Sequence, residues 1–182
     1  MTGMTGIERI VKALRLEEPD RVPFIEPPNA TIREQLLPGS TIFDSIEHFD
    51  LDGTDLDDRG YHGYLTEQVD ANHFRNQWGT VVRTIAGTLP HPVEPAIKSE
   101  KALETWSLPD PDDPARYNRI REMVRRYKGQ RAIIASFADP FNVANEVRGA
   151  TNHYMDFVRN PDLVDRLADL IKDYYMKYMR NA

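Results

Sequence analysis

The chain contains no cysteine among its 182 residues. Disulfides and thiolate metal sites are therefore excluded within it. It lacks any stretch approaching the roughly 20 apolar residues that span a bilayer. Its opening, Met1 to Val11, has no apolar centre of the kind that defines a secretory signal. A surplus of positive charge is also missing. Lys and Arg number 23 against 29 Asp and Glu, a formal net charge of −6, whereas contact with a phosphate backbone calls for a basic surface. There is no glycine-rich phosphate loop and no nucleophile elbow. The five histidines, His48, His62, His73, His91 and His153, form no close metal-binding pair. These absences point to a soluble, cytoplasmic protein that binds neither nucleic acid nor membrane.

Hydrophobic residues make up 40% and charged residues 29%, the balance of a folded domain with a sizeable core. Thr5 and Glu8 have capping-box spacing, and Ile7, Ile10, Val11 and Leu14 then recur at helical spacing until Pro19. Arg21 to Ile25 is expected as a short buried strand. A short helix is expected from Ala30 to Leu37, and another, capped by Ser40, carries Ile42, Ile46 and Phe49. Residues 50–70 are acidic and are expected to form a short strand and a long loop. From Asn72 to Val93 the pattern is β-like, with Trp78, Val81, Val82 and Ile85, and predicts an antiparallel excursion.

After the proline-rich connector Leu108 to Pro114, a helix places Tyr117, Ile120, Val124 and Tyr127 on one face, and five arginines cover much of the rest. Gly129 ends it. Ala132 to Phe137 is the strongest strand in the sequence, and Asp139-Pro140 caps and starts the next helix. The last helix begins at Asn160-Pro161. It carries a wide apolar stripe including Leu163, Leu167 and Tyr174 that needs a partner surface. Left uncovered, that stripe predicts self-association. Short apolar strands alternating with amphipathic helices predict a parallel α/β architecture with about three barrel-type strands.

Several stretches together resemble the uroporphyrinogen decarboxylase superfamily. They are Glu8 to Pro23, with its Pro-Asp-Arg-Val-Pro turn; Gln77-Trp78-Gly79-Thr80 with Pro90 to Pro95; Leu108-Pro109-Asp110-Pro111; Phe141 to Gly149; and Asn160 to Val164. The resemblance implies that residues 1–182 are the N-terminal portion of one partial (β/α)8 TIM barrel with a β-hairpin insertion. The superfamily includes cofactor-free decarboxylases and zinc-using, corrinoid-linked methyltransferases and O-demethylases. True decarboxylases follow the first strand with an arginine-rich motif that holds substrate carboxylates. Here Phe24 to Thr31 presents Glu26 and no arginine, which favours the methyltransferase-like branch. That branch implies a small methyl donor, a corrinoid protein as partner, and zinc held by cysteine and histidine. With no cysteine present, no cofactor site is expected within this chain, and the chain alone is expected to be inactive. The alternatives are uroporphyrinogen decarboxylation and a non-catalytic chain that folds with a partner.

Barrel chemistry sits at the C-terminal ends of strands. That places Glu26 and Asn29 after the first strand as pocket candidates, against local capping. Either Asp52 or Asp55 follows the second strand, against a solvated acidic loop. Asp139 follows the strongest strand and is equally a helix cap. Asn142, Asn145 and Arg148 share helical spacing near that mouth, with Arg148 as an anion contact or a salt bridge. His62 and His73 are lesser pocket candidates. The arginine-rich helix is a solvated face or, as an alternative, a dock for an acidic corrinoid protein.

Overall fold

A computed structural model describes residues 3–57, 65–85, 88 and 90–182, with backbone alone at residues 56 and 57. The fold is mixed α/β, with a two-stranded parallel sheet and a four-stranded antiparallel sheet; no closed barrel occurs among the described residues. The chain divides into two compact units, Met1–Asp57 with Asn118–Ser136, and Asp58–Tyr117 with Phe137–Ala182.

In the first unit, helix α1 spans Gly6–Leu14, and Thr5 and Glu8 close the expected capping box. Helix α2 spans Ala30–Leu36, capped by Asn29. Helix α3 spans Ile42–His48, and its cap is Thr41 rather than Ser40. Thr41 prevails because Asp44 lies three residues on and returns a bond to the Thr41 N–H at 2.7 Å. Strand β1 (Gly53–Asp57) pairs in parallel with β6 (Ala132–Ser136), from Gly53↔Ala132 to Asp57↔Ser136. Helix α5 (Asn118–Tyr127) precedes β6 and covers one face of the pair. Buried Thr54 Oγ1 lies 3.4 Å from Met123 Sδ of that helix. Strand alternation therefore turns Gly53 and Asp55 to the opposite face. A Cβ on Gly53 would meet Ile10 Cδ1 at 3.0 Å and Ile25 Cγ2 at 3.1 Å.

The strand expected at Arg21 to Ile25 does not form, so among the described residues two parallel strands stand where about three were expected. Pro19, Pro23, Pro27 and Pro28 remove ladder donors across this stretch. The Phe24 N–H goes to the Asp52 carboxylate at 2.8 Å instead of to a neighbouring strand, and Val22 is 84% exposed.

In the second unit, β2 (Leu65–Gln68), β3 (His73–Asn76), β4 (Val81–Arg83) and β5 (His91–Glu94) form an antiparallel sheet in chain order. The excursion is as expected, except that β2 occupies residues assigned to an acidic loop. Its side chains are all exposed, so no apolar alternation marked it. The unit continues with α4 (Glu100–Thr105), which the sequence reading missed, and a 3₁₀ turn at Pro114–Tyr117. It ends with α6 (Pro140–Arg148), α7 (Ala150–Arg159) and α8 (Pro161–Asn181). Asp139 and Asn160 cap α6 and α8, each followed by proline at the first helical turn.

Most of the apolar stripe of α8 is covered within its unit, while Leu170 is 44% exposed. Leu163, Leu167, Ile171, Tyr174, Tyr175 and Tyr178 are buried. The helix packs on α6 and α7, and the Trp78 ring meets Tyr174 edge-on at 5.3 Å. The stripe thus finds most of its partner surface within the second unit. Among the described residues, no helix is long and apolar enough to cross a membrane.

Candidate functional site

Ligands of parallel α/β folds bind at the C-terminal ends of the strands. In the parallel pair, that end carries Asp55 of β1 and Ser136 of β6 on the face opposite α5. Ser136 Oγ donates to Asp55 Oδ2 at 2.8 Å. Asp55 Oδ1 is shielded from solvent and has no hydrogen-bond partner among the described residues. No described Arg or Lys pairs with this carboxylate. An acid so placed retains unused capacity to receive a proton donor or a cation.

Asp52, three residues earlier, is in the opposite situation. It is 1% exposed and its carboxylate is saturated. Arg9 Nη1 lies 2.9 Å from Oδ1, Arg21 Nη1 lies 2.7 Å from Oδ2, and Arg21 Nη2 lies 2.9 Å from Oδ1. The Phe24 N–H completes the set, and the Asp52 N–H donates to Phe24 O at 2.7 Å. Arg9 also grips Asp20 through two bonds, of 2.6 and 3.0 Å. That guanidinium holds the Asp20 carboxyl down at about 2, while Asp20 and then Asp52 raise the pKa of Arg9. Asp52 thus ties α1 and the segment before α2 to the start of β1.

The remaining candidates are dispersed. Glu26 is exposed, and Asn29 Oδ1 accepts from the Ile32 N–H at 3.0 Å as the α2 cap. Asp139, Asn142 and Arg148 belong to the second unit. Asp139 accepts from the Asn142 N–H at 2.9 Å and from Asn142 Nδ2 at 2.5 Å. The backbone donor at Asn142 is the chief reason that the Asp139 pKa falls below the usual carboxylate range. Arg148 Nε lies 2.6 Å from Asp156 Oδ2, and its Nη1 donates to Ile97 O at 3.0 Å. Most of this guanidinium is therefore spent inside the fold. His73 Nδ1 lies 2.8 Å from Asp70 in an exposed turn, and His62 falls outside the described residues. No cluster of three or more His, Asp or Glu side chains suited to a metal occurs among the described residues. With no cysteine in the chain, these residues do not fit the zinc that the resemblance implies.

Sequence reasoning overlooked Ser136. Its signal was the strand itself: Ser136 is the polar residue at the end of an apolar run, and in parallel register it falls one step beyond Asp55 on the same face.

No protein-family model matches the chain, and no curated protein matches it. Among solved structures, a methyltransferase from Methanosarcina mazei has a similar fold, with a TM-score of 0.66 at 14% sequence identity. The likeness covers 98% of this chain and 55% of that one, so the chain spans about half the length of the structure it matches. At this identity the likeness establishes fold.

Proposed function

We propose that this chain is the N-terminal portion of a cytoplasmic (β/α)8-type methyltransferase that moves a methyl group from a small donor to a corrinoid protein. The observation that carries this reading is the likeness of nearly the whole chain to about half of a methyltransferase. The stretch from Phe24 to Thr31 supports it, because a carboxylate at Glu26 repels a polyanionic porphyrinogen where a decarboxylase has arginines. In this reading Asp55 and Ser136 orient the donor. The heteroatom that gives up the methyl group keeps the bonding electron pair and takes a proton from solvent, and Asp55 positions the donor by accepting a hydrogen bond from it. Zinc, if the complete enzyme uses it, takes its ligands from outside this chain.

The test is an assay of the full reading frame that contains this chain. Methylated alcohols, thiols and amines are each incubated with cob(I)alamin, and methylcobalamin is followed by absorbance. A parallel arm supplies uroporphyrinogen and looks for coproporphyrinogen. Methylcobalamin formation that Asp55→Asn abolishes is the expected result. Sustained porphyrinogen turnover without methyl transfer overturns the reading in favour of the decarboxylase.

A further inference from the structure

Helix α7 is anchored in its unit by two side chains. His153 and Asp156 are buried, at 2% and 7% exposure, and every other residue of the helix is exposed. Tyr154, Met155, Phe157 and Val158 are among the exposed ones. A surface helix ordinarily docks through an apolar stripe. Both anchors of this one are ionisable instead.

The two anchors are held by α6. Arg148 grips Asp156, with Nε 2.6 Å from Oδ2 and Nη2 3.4 Å from Oδ1. His153 Nδ1 lies 2.7 Å from Asn145 Oδ1. An amide oxygen only accepts, so Nδ1 carries the proton of the neutral ring and a second proton goes to Nε2. The rings of Phe141 and Phe157 lie 5.4 and 5.1 Å from the imidazole. A charged imidazole at this depth loses its hydration. Asp156 on its own helix and Arg148 of α6 are the charged groups that act on it; α8 and the segment around Ile97 contribute none. Burial lowers the His153 pKa from the ordinary 6.5, Asp156 opposes that shift, and Arg148 adds to it. Gly149, with a φ of +78°, and Asn160 bound the helix on either side.

We propose that α7 is a proton-operated flap: protonation of His153 releases it from α6 and α8, and it swings about Gly149 and Asn160 while the antiparallel sheet stays folded. The folded value lies below the ordinary one, so docking is at full strength above about pH 6.5 and weakens as pH falls through it. One proton changes the docking equilibrium by at most about tenfold per pH unit. The inference is independent of the methyl-transfer reading.

The 182-residue chain is followed by hydrogen exchange with mass spectrometry at about pH 7.5 and about pH 5, corrected for intrinsic exchange rates. Peptides from Ala150–Arg159 should lose protection roughly three- to thirtyfold at the lower pH, while β3 and β4 keep theirs. His153→Gln and His153→Phe stay uncharged across this range, and each should remove the loss. Either variant suffices if its far-ultraviolet circular dichroism matches the wild type. If neither folds, nuclear magnetic resonance of the wild type decides: the His153 imidazole and the α7 amides should shift with one midpoint below about pH 6.5. Equal protection of α7 at the two pH values overturns the inference. So does an undiminished loss in a folded neutral variant, a loss shared equally by β3 and β4, or separate midpoints for the ring and the α7 amides.

Discussion

Ser136 Oγ donates a 2.8 Å hydrogen bond to Asp55 Oδ2 across the parallel strand pair, and it is the one hydrogen bond to this carboxylate from a described residue. Asp52 stands on the same polypeptide stretch with two arginines and a backbone N–H around it. The two aspartates should respond to substitution in opposite ways. Asp52→Ala leaves two guanidinium groups without their shared partner and should cost about 3–5 kcal/mol. Asp55→Asn removes a charge that no described cation offsets, and should be neutral or stabilising by up to ~1 kcal/mol. Urea unfolding of the two variants checks this. A large loss from Asp55→Asn would make Asp55 a structural group and remove it from the proposed site.

The Arg9–Asp20 pair makes stability depend on acid. The folded-state carboxyl of Asp20 titrates at about 2 against an ordinary 3.8, chiefly through its bonds to Arg9. A depressed folded value favours the native state fully above the unfolded value, and the contribution fades as pH falls through the folded value. The stability advantage of the wild type over Asp20→Asn should therefore hold above about pH 5 and shrink toward about pH 2. Denaturant melts of the two proteins across that range test the sign. A gap that does not change with pH would mean that the pair contributes nothing through ionisation.

Asn76 holds the turn between β3 and β4. It is 1% exposed, and its Oδ1 accepts from the N–H groups of Trp78 and Thr80, each at 3.0 Å. Its Nδ2 donates to Glu146 of α6. Asn76→Ala leaves the buried N–H groups of Trp78 and Thr80 without their acceptor and should cost about 2–4 kcal/mol. Near-ultraviolet circular dichroism should show the environment of Trp78 loosening before the helices melt. A loss below ~1 kcal/mol would show that water replaces the amide.

Gly6 opens α1 directly against the backbone of Asp52. A Cβ there would lie 2.7 Å from Asp52 Cα. Alanine ordinarily improves a helix by about 0.8–1.0 kcal/mol over glycine. The clash is with main chain, which has little freedom to give way, and should cost about 1–3 kcal/mol. Gly6→Ala is thus expected to be net destabilising, with the Arg9–Asp52 bond lengthened. Equal or higher thermal stability would show that α1 shifts without penalty.

Local chemistry was legible wherever it was self-contained. Thr5 with Glu8, Asp139 with Pro140 and Asn160 with Pro161 all cap where their spacing places them, and Gly129 ends α5 with a φ of +81°. What escaped depends on distant partners. Asp52 and Asp55 look alike in sequence, and only Arg9 and Arg21, 43 and 31 residues from Asp52, tell them apart. Arg21 to Ile25 has a strand's composition, but its N–H at Phe24 is claimed by a side chain. The stripe on α8 shows that a cover is needed without naming the cover, which proves to be α6 and α7. Helix α4 escaped because it spans only Glu100–Thr105 and buries a single residue, Leu103.

Strand β1 ends at Asp57, whereas its partner β6 closes only at Ser136, after most of the antiparallel sheet's unit has been inserted. A ribosome adding ~5–20 residues per second delivers that partner several seconds after the first strand emerges. Closing so long an intervening loop is entropically cheap, since each doubling of length adds only about 0.6 kcal/mol. The cost is one of time: the nascent chain must carry an unmatched strand until the inserted segment has been made. Substitutions that speed the antiparallel hairpins should therefore leave the lifetime of that unmatched strand unchanged, and those that delay α5 or β6 should prolong it.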